Sequence, residues 1–270
     1  MRSISEAALS AAKERWNSVL KEKAGKEQDF AGQLFALSDV IATSATVSRS
    51  LTDAARKADD RAQLASDLFS AKLDSEVSDI LQYLVRQHWA SDEDFFVGIE
   101  ELGIETILTG ADAENVLNRL EDEIYQVMRS LTDERELRTA LSSDTRSVQD
   151  RSELARQAFA RLHPLTLFLV VRAVERTSKV TLTQSLHHYM ELSSKRNHHL
   201  VANVTAAVPL TDTQETRLAS ILTKKYGQDV SLHVSLEPEV IGGLRIHIGD
   251  DVIDGTLLKR VNDMRKAITQ

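Results

Sequence analysis

Between Gly110 and Gly227 the chain contains no glycine, and its 270 residues include only three prolines. Glycine and proline are the residues that most disfavour a helix interior, so long stretches here carry nothing that forces the backbone out of a helix. Apolar residues make up 42% of the chain, enough to bury one core and in all expectation two. Near residue 200 the apolar period changes from 3.6 to 2. The fold class expected is mainly α: an antiparallel helical bundle over residues 1–199, then a small α/β domain over 200–270.

The helical region matches itself. Shifted by 90 positions, residues 30–102 align without a gap on residues 120–192. Leu51, Arg56, Asp60, Arg61, Leu64, Ala65 and Phe69 recur as Leu141, Arg146, Asp150, Arg151, Leu154, Ala155 and Phe159. That is seven identities in nineteen positions, against about one from average residue usage. Val77, Ile80, Leu81 and Leu84 pair with Leu167, Val170, Val171 and Val174 at helical spacing, and Arg86 with Arg176. Ser91 with Asp94, and Thr181 with Gln184, read as helix starts at the same offset. The period exceeds that of solenoid repeats, which points to one duplicated helical unit and not an open array. Ahead of it, Ser3 and Glu6 read as a capping box, with Ile4, Ala8, Ala11, Ala12, Val19 and Leu20 on one face.

The densest block is GGLRIHIGDDVIDG, Gly242 to Gly255. Leu244, Ile246 and Ile248 alternate with Arg245 and His247, as in a half-buried strand. Gly249, Asp250 and Asp251 turn the chain, Val252 and Ile253 return it to the core, and Asp254 is placed to cap a helix carrying Leu257, Leu258, Val261, Met264 and Ile268. The elements expected after a strand at 200 are a helix over 212–226 closed by Gly227, strands over 229–236, 243–249 and 251–253, and a helix over 255–269.

With the segments VANVTAAVPLTDTQ and KKYGQDVSLHV before it, this block resembles the C-terminal domain of the delta subunit family of F-type ATP synthases. The resemblance covers about the last seventy residues. The order of Pro209, Pro238, Gly242, Gly243, Gly249, Asp254 and Gly255 carries it, with Glu237 and Thr256 standing where aspartate and serine are common. The Tyr-Ala pair common near the family's amino terminus is missing. Both halves of the duplication resemble the family's middle helices, and the second runs directly into the strand at Leu200. The first half then reads either as an added unit or as the original unit separated from its neighbour by an insertion.

The resemblance implies a connector of the proton-translocating ATP synthase. Such a subunit sits on the catalytic head, holds the amino-terminal helices of alpha subunits in its bundle, binds the b subunit of the peripheral stalk through its C-terminal domain, and resists torque. It also implies a peripheral place on the cytoplasmic face of a bacterial cell membrane. Leu257, Leu258 and Val261 are the candidate partner-interface residues.

The residues themselves exclude much else. Without cysteine there is no disulfide framework, thiolate site or cysteine nucleophile, and a reducing compartment is the simpler reading. A net charge of -8 and pI near 5.5 oppose nucleic-acid binding. Glu6, Lys13, Glu14 and Arg15 interrupt any export signal, and the apolar run from Leu165 to Val171 falls far short of the ~20 residues that span a bilayer. His187, His188, His198 and His199 are the best metal candidates, with Glu191 one turn on, but no HExxH spacing accompanies them. Asp250, Asp251 and Asp254 fail as a calcium loop, since Val252 and Val261 occupy ligand positions. Gly242-Gly243 lacks the lysine and following helix of a phosphate loop. No cofactor and no catalytic constellation is expected. A histidine-metal enzyme and a free-standing helical adaptor are the alternatives, and neither accounts for the C-terminal block. The charged runs Asp92 to Asp94 and Lys57 to Arg61 read as solvated faces, and Trp16, Trp89, Phe95 and Phe96 as core.

Overall fold

The computed structural model describes residues 1–254 except 178, 197–198, 228, 238–242 and 249–250. The breaker-poor sequence folds as a succession of helices: α1 (Ser3–Glu22), α2 (Glu27–Thr43), α3 (Ala45–Thr52), α4 (Ala58–Phe69), a 3-10 turn at Ser70–Lys72, α5 (Ser75–Arg86) and α6 (Asp92–Ala113). There follow α7 (Leu117–Asp133), α8 (Arg135–Ser142), α9 (Val148–Ala158), α10 (Pro164–Glu175) and α11 (Leu182–Arg196). Helix starts recur at a separation of 90 (27 and 117, 45 and 135, 58 and 148, 92 and 182), with α5 and α10 differing by one. Phe30, Leu34, Leu37, Ile41 and Leu51 are buried, and so are Leu120, Ile124, Val127, Leu131 and Leu141 ninety residues later. The hydroxyl of Ser91 accepts from Asp94 N at 3.1 Å, and that of Thr181 from Gln184 N at 3.3 Å, so both helix starts are capped as their sequences indicate.

Two expectations about the first helix and the charged runs are corrected. α1 is preceded by Arg2 with no side-chain cap, and Ile4 is 60% exposed. The buried stripe is Ser5, Ala8, Leu9, Ala12, Trp16 and Leu20, because the helix rotates to bury Trp16, whose indole N–H donates to Thr106 at 2.7 Å. Arg61 is not on a solvated face. It is 2% exposed and donates to the carbonyls of Val85, Asp53, Arg86 and Gln87. Three of these are carbonyls at and just past the end of α5, which have no acceptor role inside the helix, so a buried guanidinium satisfies them. Among the other aromatics, Phe95 is fully buried, while Trp89 and Phe96 pack half-buried against the same cluster.

The chain divides into two compact units, Met1–Tyr189 and Met190–Gln270, the division falling within α11. In the second unit β1 (His199–Ala206) runs into α12 (Asp212–Tyr226), which returns the chain to β2 (Asp229–Leu236), parallel to β1. β3 (Leu244–Ile248) pairs antiparallel with the other edge of β1, and β4 (Asp251–Asp254) antiparallel with β3, giving the order β2-β1-β3-β4. Helix α12 has the bounds its sequence indicates, because both ends are chemically defined. Thr211 and Gln214 form a capping box, and Gly227 closes the helix at φ 71°. One sheet face, with Ala202, Val204, Val230, Ile246 and Ile248, packs around Leu222, with Leu218 and Tyr226 at the margin. Val252, read as returning to the core, is 55% exposed, since β4 is an edge strand and its alternation turns Ile253 inward instead.

Candidate functional site

The most concentrated chemistry lies where α10 meets α2 and α6. Pro164 stands in the first turn of α10, where a missing N–H costs nothing, and the helix then buries Leu165, Leu169, Val170 and Val174. Arg172 interrupts that apolar run and is 3% exposed. Its Nε and Nη2 donate to the two oxygens of Glu100 at 2.9 and 2.6 Å. Nη1 and Nη2 donate to Asp39 at 2.6 and 3.1 Å, and the guanidinium carbon lies 4.6 Å from the centre of the Phe35 ring. Arg176 adds a further pair to Glu100 at 3.0 Å. Burial disfavours the charge on Arg172, but the hydrogen bonds to Glu100 and Asp39 outweigh it and raise its pKa above the ordinary guanidinium range. A bidentate, buried pair of this kind fixes geometry between three helices. Burial likewise raises the Tyr189 phenol well above its usual value.

Beside this junction runs an open cleft of about 370 Å³, lined by Gln28, Gly32 and Phe35 of α2 and by Leu167, Phe168 and Val171 of α10. Phe35 and Phe168 stack at 6.0 Å across it. On the far side of α6, Lys13 of α1 holds Glu101 and Glu105 at 3.3 and 2.8 Å, and Glu101 also pairs with His188 at 2.9 Å. Burial raises the Glu101 pKa, yet the hydrogen bond from His188 and the charge of Lys13 prevail and hold it below the usual carboxylate range.

Of the four histidines read as metal candidates, the structure describes the side chains of His187 and His188. His188 is engaged with Glu101, His198 lies outside the described residues, and among the described residues no group of three or more side chains could hold a metal. Among the described residues no single helix is long and apolar enough to cross a membrane.

In the small unit, Gly243 takes φ 86°, a conformation open to glycine and strained for other residues, immediately before β3. Pro209 is exposed in the connection from β1 to α12. Asp254 ends β4, with Arg245 across from it at 3.9 Å. The tie from Tyr226 to Asp251, at 3.0 Å, joins α12 to β4. Pro238, Gly242, Gly249, Gly255, Leu257, Leu258 and Val261 lie outside the described residues, as does the helix expected over 255–269. The residues that sequence reasoning missed are Arg172, Glu100 and Asp39. A signal was present: Arg172 is a lone charge inside the run FLVVRAV, and Glu100 is one of two adjacent glutamates inside VGIEELGI.

The described residues show helices tied together by buried ion pairs beside an open apolar cleft, and a four-stranded sheet with α12 packed on one face. The family model for the ATP synthase delta (OSCP) subunit matches residues 105–268. The ATP synthase subunit delta of Beutenbergia cavernae is 39% identical, covering 99% of both chains. Those of Streptomyces griseus and Streptomyces avermitilis are 32% and 34% identical and cover 97% of this chain. A chain in the Toxoplasma gondii mitochondrial ATP synthase hexamer is similar at 18% identity and a TM-score of 0.40, covering 62% of this chain and 95% of that one. The chain belongs to the ATP synthase delta (OSCP) subunit family. It is accordingly a non-catalytic, peripheral-stalk component of the F-type ATP synthase.

Proposed function

We propose that this subunit joins the catalytic head to the b subunit of the peripheral stalk, the helical region holding amino-terminal helices of alpha subunits and residues 200–270 binding the stalk. In this reading it works on the cytoplasmic face of a bacterial cell membrane, held there by the complex. The observation that carries the reading is the family match over residues 105–268, together with relatives of the same length named as delta subunits. The mechanism is mechanical. Rotation of the central stalk drags on the head, and a connector that keeps the head still lets proton flow drive ATP formation. Buried apolar contacts suit that load, because they resist slow dissociation without chemistry. Pro209, Pro238, Gly242, Gly243, Gly249, Asp254 and Gly255 serve here as scaffold. Leu257, Leu258 and Val261 supply apolar contact to the stalk.

The test is reconstitution. ATP synthase depleted of this subunit should hydrolyse ATP at the head but fail at proton-driven synthesis, and adding the full chain should restore it. Leu258→Glu should weaken binding to isolated stalk while leaving binding to the head intact. Normal synthesis without the subunit, or loss of head binding alone in that variant, would overturn the assignment.

A further inference from the structure

The helix starts at residues 3, 92 and 182 are spaced like the repeat itself, so α1, α6 and α11 stand at equivalent places in successive periods. In the first period α1 packs against α5, and α6 packs against α10 in the second. Four further pairings recur: α2 with α3 and α7 with α8, α3 with α4 and α8 with α9, α4 with α5 and α9 with α10, α2 with α5 and α7 with α10. At the same time α6 closes the first period, packing against both α1 and α2. The structure assigns α6 to both units: it is the last helix of the first bundle and the first helix of the second.

A helix used twice needs two buried faces. The stripe that α1 buries, Ser5, Ala8, Leu9, Ala12, Trp16 and Leu20, corresponds ninety residues on to Phe95, Gly98, Ile99, Leu102, Thr106 and Gly110, all buried in α6. Phe95, Ile99 and Leu102 belong to the cluster containing Trp16 and Phe30, in the first unit. The opposite side shows the difference. Where α1 leaves Ser10, Glu14, Ser18 and Lys21 exposed, α6 buries Glu100, Ile104, Leu108 and Ala111. At about 100° per residue these lie roughly half a turn from the first stripe. Glu100 is the member whose partners are resolved in detail, and they are Arg172 and Arg176 of α10. Ordinary surface helices carry one apolar stripe, and one buried on both sides is a core element of a larger body.

The consequence is that the two units open together. Native-state hydrogen exchange of the full chain, read by mass spectrometry over a series of low urea concentrations, tests this directly. In the unmodified chain the slowest amides of α2, α5, α7 and α10 should share one opening equilibrium and one urea dependence. Trp16 packs in the first half of the repeat and meets the second only through α6, where its indole donates to Thr106, yet Trp16→Ala should raise opening in α7 and α10 by the same factor as in α2 and α5, at least about 100-fold. Ile124→Ala, in α7, should do the reverse. If α7 and α10 keep their protection in Trp16→Ala, or open at lower urea than α2 in the unmodified chain, the units are independent and α6 is not shared. Should either variant fail to fold, the comparison within the unmodified chain decides alone.

Discussion

Gly103 on α6 is the position where a single methyl group should be least tolerated. A Cβ there would lie 2.4 Å from Phe35 Cε1, 2.7 Å from Cδ1 and 3.2 Å from Cζ. Carbon atoms prefer about 3.5 to 4.0 Å, so the ring must move by more than ~1 Å. Although it borders the cleft, the ring is 4% exposed, stacked on Phe168 and covered by the Arg172 guanidinium, so moving it costs those contacts. Gly103→Ala gains about 1 kcal/mol of helix propensity. Overpacking at such a contact costs typically 1–3 kcal/mol, occasionally more, and the rigid surroundings place this site at the upper end. The net expectation is destabilisation by ~2 kcal/mol, measured by urea denaturation of the full chain followed by circular dichroism, with the slope unchanged. Gly98→Ala is the control. Its clash is with the far end of the Trp89 indole, at 2.6 Å, a half-buried ring whose N–H is tied to Leu84 O at 2.8 Å but whose six-membered edge can tilt about that bond. That variant should lie within ~1 kcal/mol of the parent. Combining Gly103→Ala with Phe35→Leu should cost less than the sum of the two by about 1 kcal/mol or more, because the smaller side chain vacates the space. A neutral or stabilising Gly103→Ala, or strict additivity in the double variant, would refute the claim that bare backbone at 103 is what admits Phe35.

Arg172→Ala should destabilise by ~3 kcal/mol, because the buried Glu100 then keeps Arg176 as its remaining cation, whereas Arg172→Met combined with Glu100→Leu should recover part of the loss and leave Arg176 without its carboxylate, both read by thermal unfolding. Gly243→Val should destabilise the small unit by ~1–3 kcal/mol, since a branched residue at positive φ is strained, with urea unfolding of the full chain as the assay. Glu76 titrates at about 2, held there by hydrogen bonds from Lys23 and Ser75. Its contribution is therefore present above the ordinary carboxylate range and is lost as pH falls through about 2; Lys23→Gln should move the titration upward in a carboxyl NMR experiment. The purified chain should show no ATP turnover that a point substitution within it abolishes.

Where boundaries depend on chemistry within a few residues, they were legible beforehand. The Thr211–Gln214 box and Gly227 define α12, Ser91 and Thr181 mark two helix starts, and the period-2 alternation of Leu244 to Ile248 gives β3. The α1 face was misjudged because an alanine-rich helix has several usable faces, and the choice is made by where Trp16 fits against Thr106. The junction was invisible for a different reason. Glu100 and Arg172 are 72 residues apart and Asp39 and Arg172 are 133 apart, so no local spacing connects them. A lone charge in an apolar run announces that a partner exists, but tertiary packing supplies its identity.

The order of strands has a bearing on how the chain is made. β1, an inner strand, is complete at Ala206, while its neighbours β2 and β3 end at Leu236 and Ile248. During synthesis, an apolar strand carrying Ala202 and Val204 therefore leaves the ribosome some thirty to forty residues before the partner on either side of it is complete. A parallel pair cannot close as a hairpin, so β1 must wait for α12 and β2 together. In that interval, after α1–α11 are complete and before β2 ends at Leu236, the unpaired β1 is the segment of the nascent subunit most open to mispairing.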